Sequence, residues 1–139
     1  MGLTSLTLLD SVILEMKILL IDDDEAMSTV FSTALKKEGF ETDLATTGGE
    51  GIEKAKTDNP DLILLDQVLP DTKGNDVLAE LKNSDATKNI PVIILSNFSQ
   101  EELVKEAIQA GAQDYLFKYQ IDTHDLVDKV KSALNTNAA

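Results

Sequence analysis

Apolar and polar residues along the chain form two kinds of pattern, which together predict five strands and five helices. Short runs that are apolar throughout are typical of strands buried on both faces of a parallel sheet. Segments with apolar residues three and four positions apart predict amphipathic helices between these strands. The predicted strands cover residues 17–21, 41–45, 61–66, 91–96 and 113–117, and the predicted helices cover about 25–37, 47–57, 74–82, 99–111 and 123–134.

Capping residues and glycines mark several of these helix boundaries. Thr47 and Ser99 each precede a glutamate by three positions, which is the spacing of a capping box at the start of a helix. Gly39 and Gly111 lie where the first and fourth helices are expected to end.

The order of the predicted elements indicates the fold. Strands alternate with helices five times, which argues for a parallel sheet with right-handed crossovers. The second strand is half polar and belongs at an edge, whereas the three most apolar strands belong in the middle. The order 2-1-3-4-5 meets both conditions and places the switch point between strands 1 and 3. We therefore expect an α/β fold with a doubly wound, five-stranded parallel sheet.

Four predicted strands deliver a polar side chain at their carboxyl ends, where ligands bind in an open parallel sheet. Asp22 and Asp23 follow the first strand, Asp66 and Ser96 close the third and fourth, and Lys118 follows the fifth. Carboxylates held close together repel, and each raises the pKa of the next. A hard divalent cation such as Mg²⁺ or Mn²⁺ would remove that repulsion. Taken alone, the acidic run after strand 1 also fits a plain turn whose acids favour a helix N-terminus.

Asp66 is the candidate reactive group of this cluster. A carboxylate that attacks phosphorus forms an aspartyl-phosphate, and such transfers depend on positioning and charge neutralisation. Lys118 supplies a point charge for a phosphoryl oxygen, and Ser96 supplies a hydroxyl donor. A surface lysine and a satisfied buried serine are the ordinary alternatives for these two residues.

The net charge and composition of the chain argue against some classes of binding partner. The chain has 139 residues, enough for one domain with its own core, and a formal charge of −13 from 25 acidic residues and 12 lysines. A field this acidic argues against binding nucleic acid or an anionic membrane surface. No segment reaches the roughly 18 apolar residues of a membrane helix. With no cysteine in the chain, these features fit a cytoplasmic protein.

The chain divides into three segments by the same patterns. Residues 1–15 are apolar without a basic start, which makes a poor signal peptide. We interpret them as an extension from a non-native upstream start, or else as an accessory strand or helix that docks on the sheet or on a second copy. Residues 16–135 form the predicted domain, and residues 136–139 form a tail that is expected to fray.

Together, the spacing of these motifs resembles the receiver domains of two-component response regulators. The resemblance runs from about Lys17 to Leu134 and rests on four motifs in family order: Ile-Asp-Asp at 21–23, Leu-Leu-Asp-x-x-Leu-Pro at 64–70 with Gly74, Leu-Ser at 95–96, and Tyr-Leu-Phe-Lys at 115–118. Each motif is weak alone, but the combination is highly specific. It implies the flavodoxin-like (βα)5 fold.

The resemblance also implies a metal and phosphoryl chemistry for named positions. Asp66 matches the phosphoacceptor that takes a phosphoryl group from a histidine kinase or phosphotransfer protein. Asp23 matches a direct Mg²⁺ ligand, and Asp22 matches the residue that contacts the ion through a water molecule. The Val68 backbone carbonyl matches a further ligand, beside Asp66.

Three further positions match the parts that respond to phosphorylation. Ser96 matches the switch hydroxyl, Lys118 the lysine that pairs with the phosphoryl group, and Tyr115 the aromatic that rotates when the hydroxyl moves. The phosphoryl group would then favour a state in which Ser96 and Lys118 have closed on it. The changed state would pass to a target protein, or to a second copy in a homodimer, through the fourth helix, fifth strand and fifth helix, about residues 99–134.

Three positions depart from the family pattern. Tyr119 replaces the usual proline after the lysine; a cis peptide there would cost about 2.5–4 kcal/mol without proline, so the loop is expected to be trans or strained. Asn97 replaces a small residue and would narrow access to Asp66. Lys73 replaces an acid before the loop glycine, and we assign it no role. In addition, neither Val68 nor Phe98 can orient an attacking water, so a switch with at most slow self-dephosphorylation is expected rather than an enzyme.

Two other functions remain open from the sequence. A receiver-like module that binds proteins without phosphorylation would fit the departures at Asn97 and Tyr119. A phosphatase of the haloacid-dehalogenase type also uses an aspartate nucleophile after a strand, but it needs a threonine where the acidic run has Ala26. It also needs a longer chain for its cap.

Overall fold

A computed structural model describes residues 16–97 and 100–138, with side chains described up to residue 135. The strands are β1 (Lys17–Ile21), β2 (Glu41–Ala45), β3 (Leu62–Asp66), β4 (Val92–Ser96) and β5 (Asp114–Phe117). The helices are α1 (Glu25–Lys37), α2 (Gly48–Asp58), α3 (Gly74–Lys82), α4 (Glu101–Gln109) and α5 (Thr123–Ala138). The two interpretations of residues 1–15 fall outside the described residues.

All five strands are parallel and lie in the order β2-β1-β3-β4-β5. This confirms the predicted fold class and strand order. The half-polar strand β2 is at the edge, and the fully buried strands β3 and β4 are central, as their apolar runs require. The switch point between β1 and β3 is therefore where the sequence predicted it.

Helices cover both faces of the sheet and bury two separate hydrophobic clusters. On one face, α1 and α5 pack on the side chains of alternate strand residues such as Ile18, Leu64 and Ile93. On the other face, α2, α3 and α4 pack on the intervening residues such as Leu19 and Ile94. Since both faces are covered, β1, β3 and β4 read as continuous apolar runs with polar residues only at their ends, whereas the edge strand β2 also carries polar residues in its middle.

The bounds of α1, α2 and α3 agree with the prediction to within one residue, whereas α4 is two residues shorter at each end and α5 is longer. The Thr47 hydroxyl accepts the Glu50 N–H, as in a capping box, but the Glu50 carboxylate accepts from Thr46 rather than from Thr47. The predicted cap at Ser99 lies outside the described residues, and α4 begins after Gln100, whose side chain makes no cap bond. Helix α5 continues to Ala138, so its predicted end at Leu134 was wrong. The expected fraying of residues 136–139 stays a prediction.

Among the described residues, no helix has both the length and the apolar character needed to span a membrane.

Candidate phosphoryl and metal site

The acidic residues predicted to converge do lie together at the carboxyl end of the sheet. Residues Ile21 and Leu65 are paired in neighbouring parallel strands, so the residues that follow them leave the sheet side by side. The carboxylate oxygens of Asp22, Asp23 and Asp66 include a set that lies within 4.8 Å of one another. Asp22 and Asp66 are buried, whereas Asp23 is exposed. The cluster thus has one face open to solvent and two buried charges behind it.

Lys118 compensates part of this negative charge. Its side chain is only 3% exposed, and its Nζ lies 2.7 Å from Asp22 Oδ2. It also lies 3.6 Å from Asp66 Oδ2 and 3.7 Å from Asp24 Oδ2. Burial lowers the pKa of Lys118, but the hydrogen bond to Asp22 and the charges of the three aspartates outweigh it and raise the pKa above its usual value. Lys118 is therefore a charged group inside the cluster rather than a surface lysine.

Asp66 is the carboxyl group whose ionisation the site opposes most strongly. Burial and the neighbouring charge of Asp22 raise the pKa of Asp66 to about 7, although Lys118 and the Val68 N–H act in the opposite direction. One ammonium group is thus not enough to balance the acids around it. A hard divalent cation would complete the balance with the carboxylate ligands that such ions prefer, so the residues present fit Mg²⁺ or Mn²⁺.

We expect Asp66→Asn to stabilise the metal-free protein at pH 8, by on the order of 2 kcal/mol in the free energy of unfolding. The pKa of Asp66 is about 7 in the folded state, against 3.8 for an unperturbed aspartate. The folded state therefore holds the proton longer, and the wild type loses stability as pH rises from about 4 through 7. The variant lacks this loss. Urea titrations with chelator at pH 5 and pH 8 test this, and an equal difference at both pH values would contradict it.

A cavity of about 240 Å³ opens onto the cluster. Its lining residues are Asp23, Asp24, Asp66, Val68, Asn97 and Lys118. The exposed side chain of Asn97 contributes to the wall of the cavity, but its narrowing of access to Asp66 stays a prediction. Val68 lines the same cavity, but the role of its carbonyl as a metal ligand stays a prediction.

The two predicted switch residues are both buried. Ser96 is the last residue of β4 and is fully buried. It lies beside Asp66, because its neighbour Leu95 is paired with Asp66 in the sheet. Tyr115 is 8% exposed and packs edge-on against Phe117, with ring centroids 5.9 Å apart. The aromatic ring therefore points inward in this structure. Movement of these two residues on phosphorylation stays a prediction.

Asp24 and Tyr119 form a contact at the site that the sequence did not predict. The Tyr119 hydroxyl donates to Asp24 Oδ2 at 3.1 Å, while Asp24 Oδ1 accepts the Met27 N–H and caps α1. No cis peptide bond occurs among the described residues, so the Lys118–Tyr119 bond is trans. An aspartate before a helix signals a cap, but nothing local signals its second partner 95 residues away.

A second unpredicted pair of residues lies next to the phosphoacceptor candidate. Gln67 and Asn75 are each 3% exposed, and their side-chain amides bond to each other at 2.9 Å. Neither residue has a sequence pattern that indicates burial.

Known proteins with similar sequences and structures identify the family of this chain. The sequence profile of the response regulator receiver domain matches residues 18–131. The chain is 36% identical over 121 residues to the chemotaxis protein CheY of Bacillus subtilis, covering 86% of this chain and 98% of CheY. It is 41% identical over 103 residues to the cell cycle transcriptional regulator CtrA of Caulobacter vibrioides, covering 74% of this chain but 44% of CtrA.

Solved structures agree with these sequence matches. The CheY-like receiver domain protein of Methanospirillum hungatei superimposes with a TM-score of 0.83 at 29% identity, covering 88% of this chain and 96% of that one. The Mn²⁺-bound form of the response regulator Rcp1 superimposes with a TM-score of 0.75 at 30% identity, covering 84% of this chain and 92% of that one. The chain therefore belongs to the response regulator receiver domain family. It spans about half the length of several transcriptional regulators that it matches.

Proposed function

We propose that this receiver domain is a phosphoacceptor switch in which Asp66 takes a phosphoryl group from a histidine kinase or phosphotransfer protein. The observation that carries the proposal is the position of Asp66, which closes a central strand, faces a buried lysine and opens onto a cavity. Receiver domains act as switches rather than enzymes, and response regulators as a class interact with histidine kinases and with downstream targets.

The chemistry uses groups that the structure brings together. A carboxylate oxygen of Asp66 forms a bond to phosphorus while the bond from phosphorus to the donor's imidazole nitrogen breaks, and that nitrogen keeps the electron pair and takes a proton. Lys118, 3.6 Å from Asp66 Oδ2, pairs with a phosphoryl oxygen. Asp22, Asp23 and Asp66 would hold the divalent cation, with the Val68 carbonyl as a further ligand. When bound, that cation neutralises phosphoryl charge and favours the ionised form of Asp66.

The proposal is tested by intact mass after incubation with acetyl phosphate and Mg²⁺. We expect the wild type to gain one phosphoryl group, and both Asp66→Asn and the wild type with chelator to gain none. Asp61→Asn is the matched control, because Asp61 is an exposed carboxylate just before the other end of β3 and should leave the gain intact. A folded wild type that gains nothing would contradict the proposal and favour a binding module that works without phosphorylation.

We expect the phosphorylated form to persist well beyond seconds. Val68 lines the site cavity, is 54% exposed and carries no group that could orient a water molecule for attack on phosphorus. The second flanking residue, Phe98, lies outside the described residues. The decay of the phosphorylated mass after removal of the donor measures the lifetime, and a half-life of seconds would show that another group activates water.

The proposed output face, α4-β5-α5, carries more acidic than basic groups. Its lysines are engaged within the domain: Lys105 pairs with Glu101 at 3.4 Å, Lys129 lies 3.9 Å from Asp114, and Lys131 pairs with Glu38 of α1. The acidic side chains Glu102, Asp122 and Asp125 are exposed. A target protein with a basic surface, bound in a salt-sensitive way, fits this face better than nucleic acid or an anionic membrane. A second copy is the alternative partner.

A further inference from the structure

Gln67, the residue after the phosphoacceptor candidate, joins four elements of the fold. Its N–H donates to Leu95 O of β4 at 3.0 Å, and its carbonyl accepts the Gly74 N–H of α3 at 2.7 Å. Its side-chain Oε1 accepts the Asn75 N–H at 2.9 Å. Since the N-cap residue Lys73 makes no side-chain cap bond, Gln67 provides the cap of α3 from outside the helix.

The side-chain amide of Gln67 also contacts residues that lead to the proposed output face. Gln67 Nε2 donates to Asn75 Oδ1 at 2.9 Å and lies 3.5 Å from the Tyr115 hydroxyl. Asn75 Nδ2 in turn donates to Leu103 O of α4 at 3.3 Å. Two buried amides therefore connect the strand end that carries Asp66 with both β5 and α4.

Helix α4 has few other attachments. Ala107 is its one buried residue, whereas α3 buries five residues and α1 buries three. Val104 also packs, partly buried, against the same hydrophobic cluster as Ala107. The bond from Asn75 Nδ2 to Leu103 O therefore adds a polar attachment to a helix with little fully buried apolar surface. Removing one partner would also leave the other buried amide unsatisfied.

We propose that Gln67 and Asn75 are positioning residues, which together form an amide clamp that fixes α4 and the inward ring of Tyr115 to the phosphoacceptor strand. Displacement of the β3 end on phosphorylation then moves α4 through these bonds. This second step rests on the proposed function, whereas the clamp itself does not.

The clamp is tested in the resting protein by hydrogen exchange of the α4 amides, with chelator and without a phosphodonor. We expect Gln67→Met and Asn75→Leu each to speed exchange in α4 at least fivefold, with smaller changes in α1 and α5. Asn75→Leu is the milder variant because the backbone N–H at position 75 can still donate to Gln67 Oε1. The matched control is Thr87→Val, which removes the buried 2.6 Å bond from Thr87 Oγ1 to Leu81 O near the other end of α3.

The outcomes separate a clamp from a merely structural role. Unchanged α4 exchange in both variants, or equal loosening in Thr87→Val, would overturn the proposal. A second set of exchange measurements adds acetyl phosphate and Mg²⁺, with phosphorylation followed by mass. We expect the α4 change seen in the wild type to shrink at least threefold in the phosphorylated variants, and a full change there would overturn transmission. A wild type that takes no phosphoryl group would instead contradict the proposed function, while resting exchange would still decide the clamp.

Discussion

Replacement of Lys118 by methionine is expected to lower the free energy of unfolding by about 3–5 kcal/mol at pH 7.5 without divalent cations. Methionine keeps much of the side-chain volume, so the loss comes from charge rather than from a cavity. The Lys118 Nζ lies 2.7 Å from Asp22 Oδ2 and 3.6 Å from Asp66 Oδ2, and these aspartates are almost completely buried. Without the ammonium group, the folded state must either hold two buried carboxylates with no counter-ion or take up a proton on Asp66, and both cost free energy at pH 7.5.

The loss should be smaller at pH 5 than at pH 7.5. The folded-state pKa of Lys118 is raised, so its contribution is present below the unfolded pKa near 10.5 and does not titrate in this range. The pH dependence comes instead from Asp66, whose folded pKa is about 7 even with Lys118 present. The Lys118 charge lowers the pKa of Asp66, so its removal raises that pKa further. The variant therefore gains more stability than the wild type when Asp66 is protonated between pH 7.5 and pH 5.

Urea unfolding at the two pH values measures both effects, and Lys105→Met provides the control. Lys105 forms an exposed pair with Glu101, with side-chain exposures of 68% and 82%, so its removal should cause no measurable change. A Lys118→Met protein as stable as the Lys105→Met protein at pH 7.5 would show that the carboxylates are balanced in some other way.

The sequence predicted the fold and the acidic site for the same physical reason. Both faces of the sheet are covered, so in the inner strands β1, β3 and β4 polar residues occur only at the strand ends, and the carboxyl ends of parallel strands lie on one side of the sheet. Asp22, Asp66 and Lys118 could therefore be placed together from the ends of the apolar runs alone. The edge position of β2 followed similarly from its polar side chains.

Contacts between loops could not be predicted in this way. The Asp71 carboxylate accepts the N–H groups of Gly48 and Gly49 at 2.8 and 3.0 Å, tying the loop after Asp66 to the start of α2. The pKa of Asp71 is accordingly lowered by these two bonds. No period or local motif relates residues more than 20 positions apart. The amide pair of Gln67 and Asn75 was missed for a similar reason, since polar residues are expected to be exposed unless a partner is known.

Gly74→Ala is expected to destabilise the protein by about 3 kcal/mol and to slow phosphorylation of Asp66 roughly tenfold or more. A methyl group on Gly74 would lie 2.4 Å from the Asp66 carbonyl oxygen and 2.8 Å from Gln67 Cα. Both are backbone atoms, so relief requires a shift of the chain itself. That chain carries the phosphoacceptor candidate, and the Gly74 N–H is bonded to Gln67 O at 2.7 Å. The free energy of unfolding and the rate of Asp66 phosphorylation should therefore both decrease.

The control for this prediction is Gly49→Ala, in the first turn of α2. Among the described residues outside its own helix, a methyl group there would contact only Asp71 Oδ2, at 3.6 Å, which is an ordinary contact. Alanine is the better helix former by about 0.5–1 kcal/mol, so Gly49→Ala should match or exceed the wild type in stability. The same propensity applies at Gly74, the first residue of α3, and only the close approach of the β3 end opposes it. A Gly74→Ala protein that gains stability in urea unfolding, like Gly49→Ala, would show that α3 can move away from Asp66 at little cost.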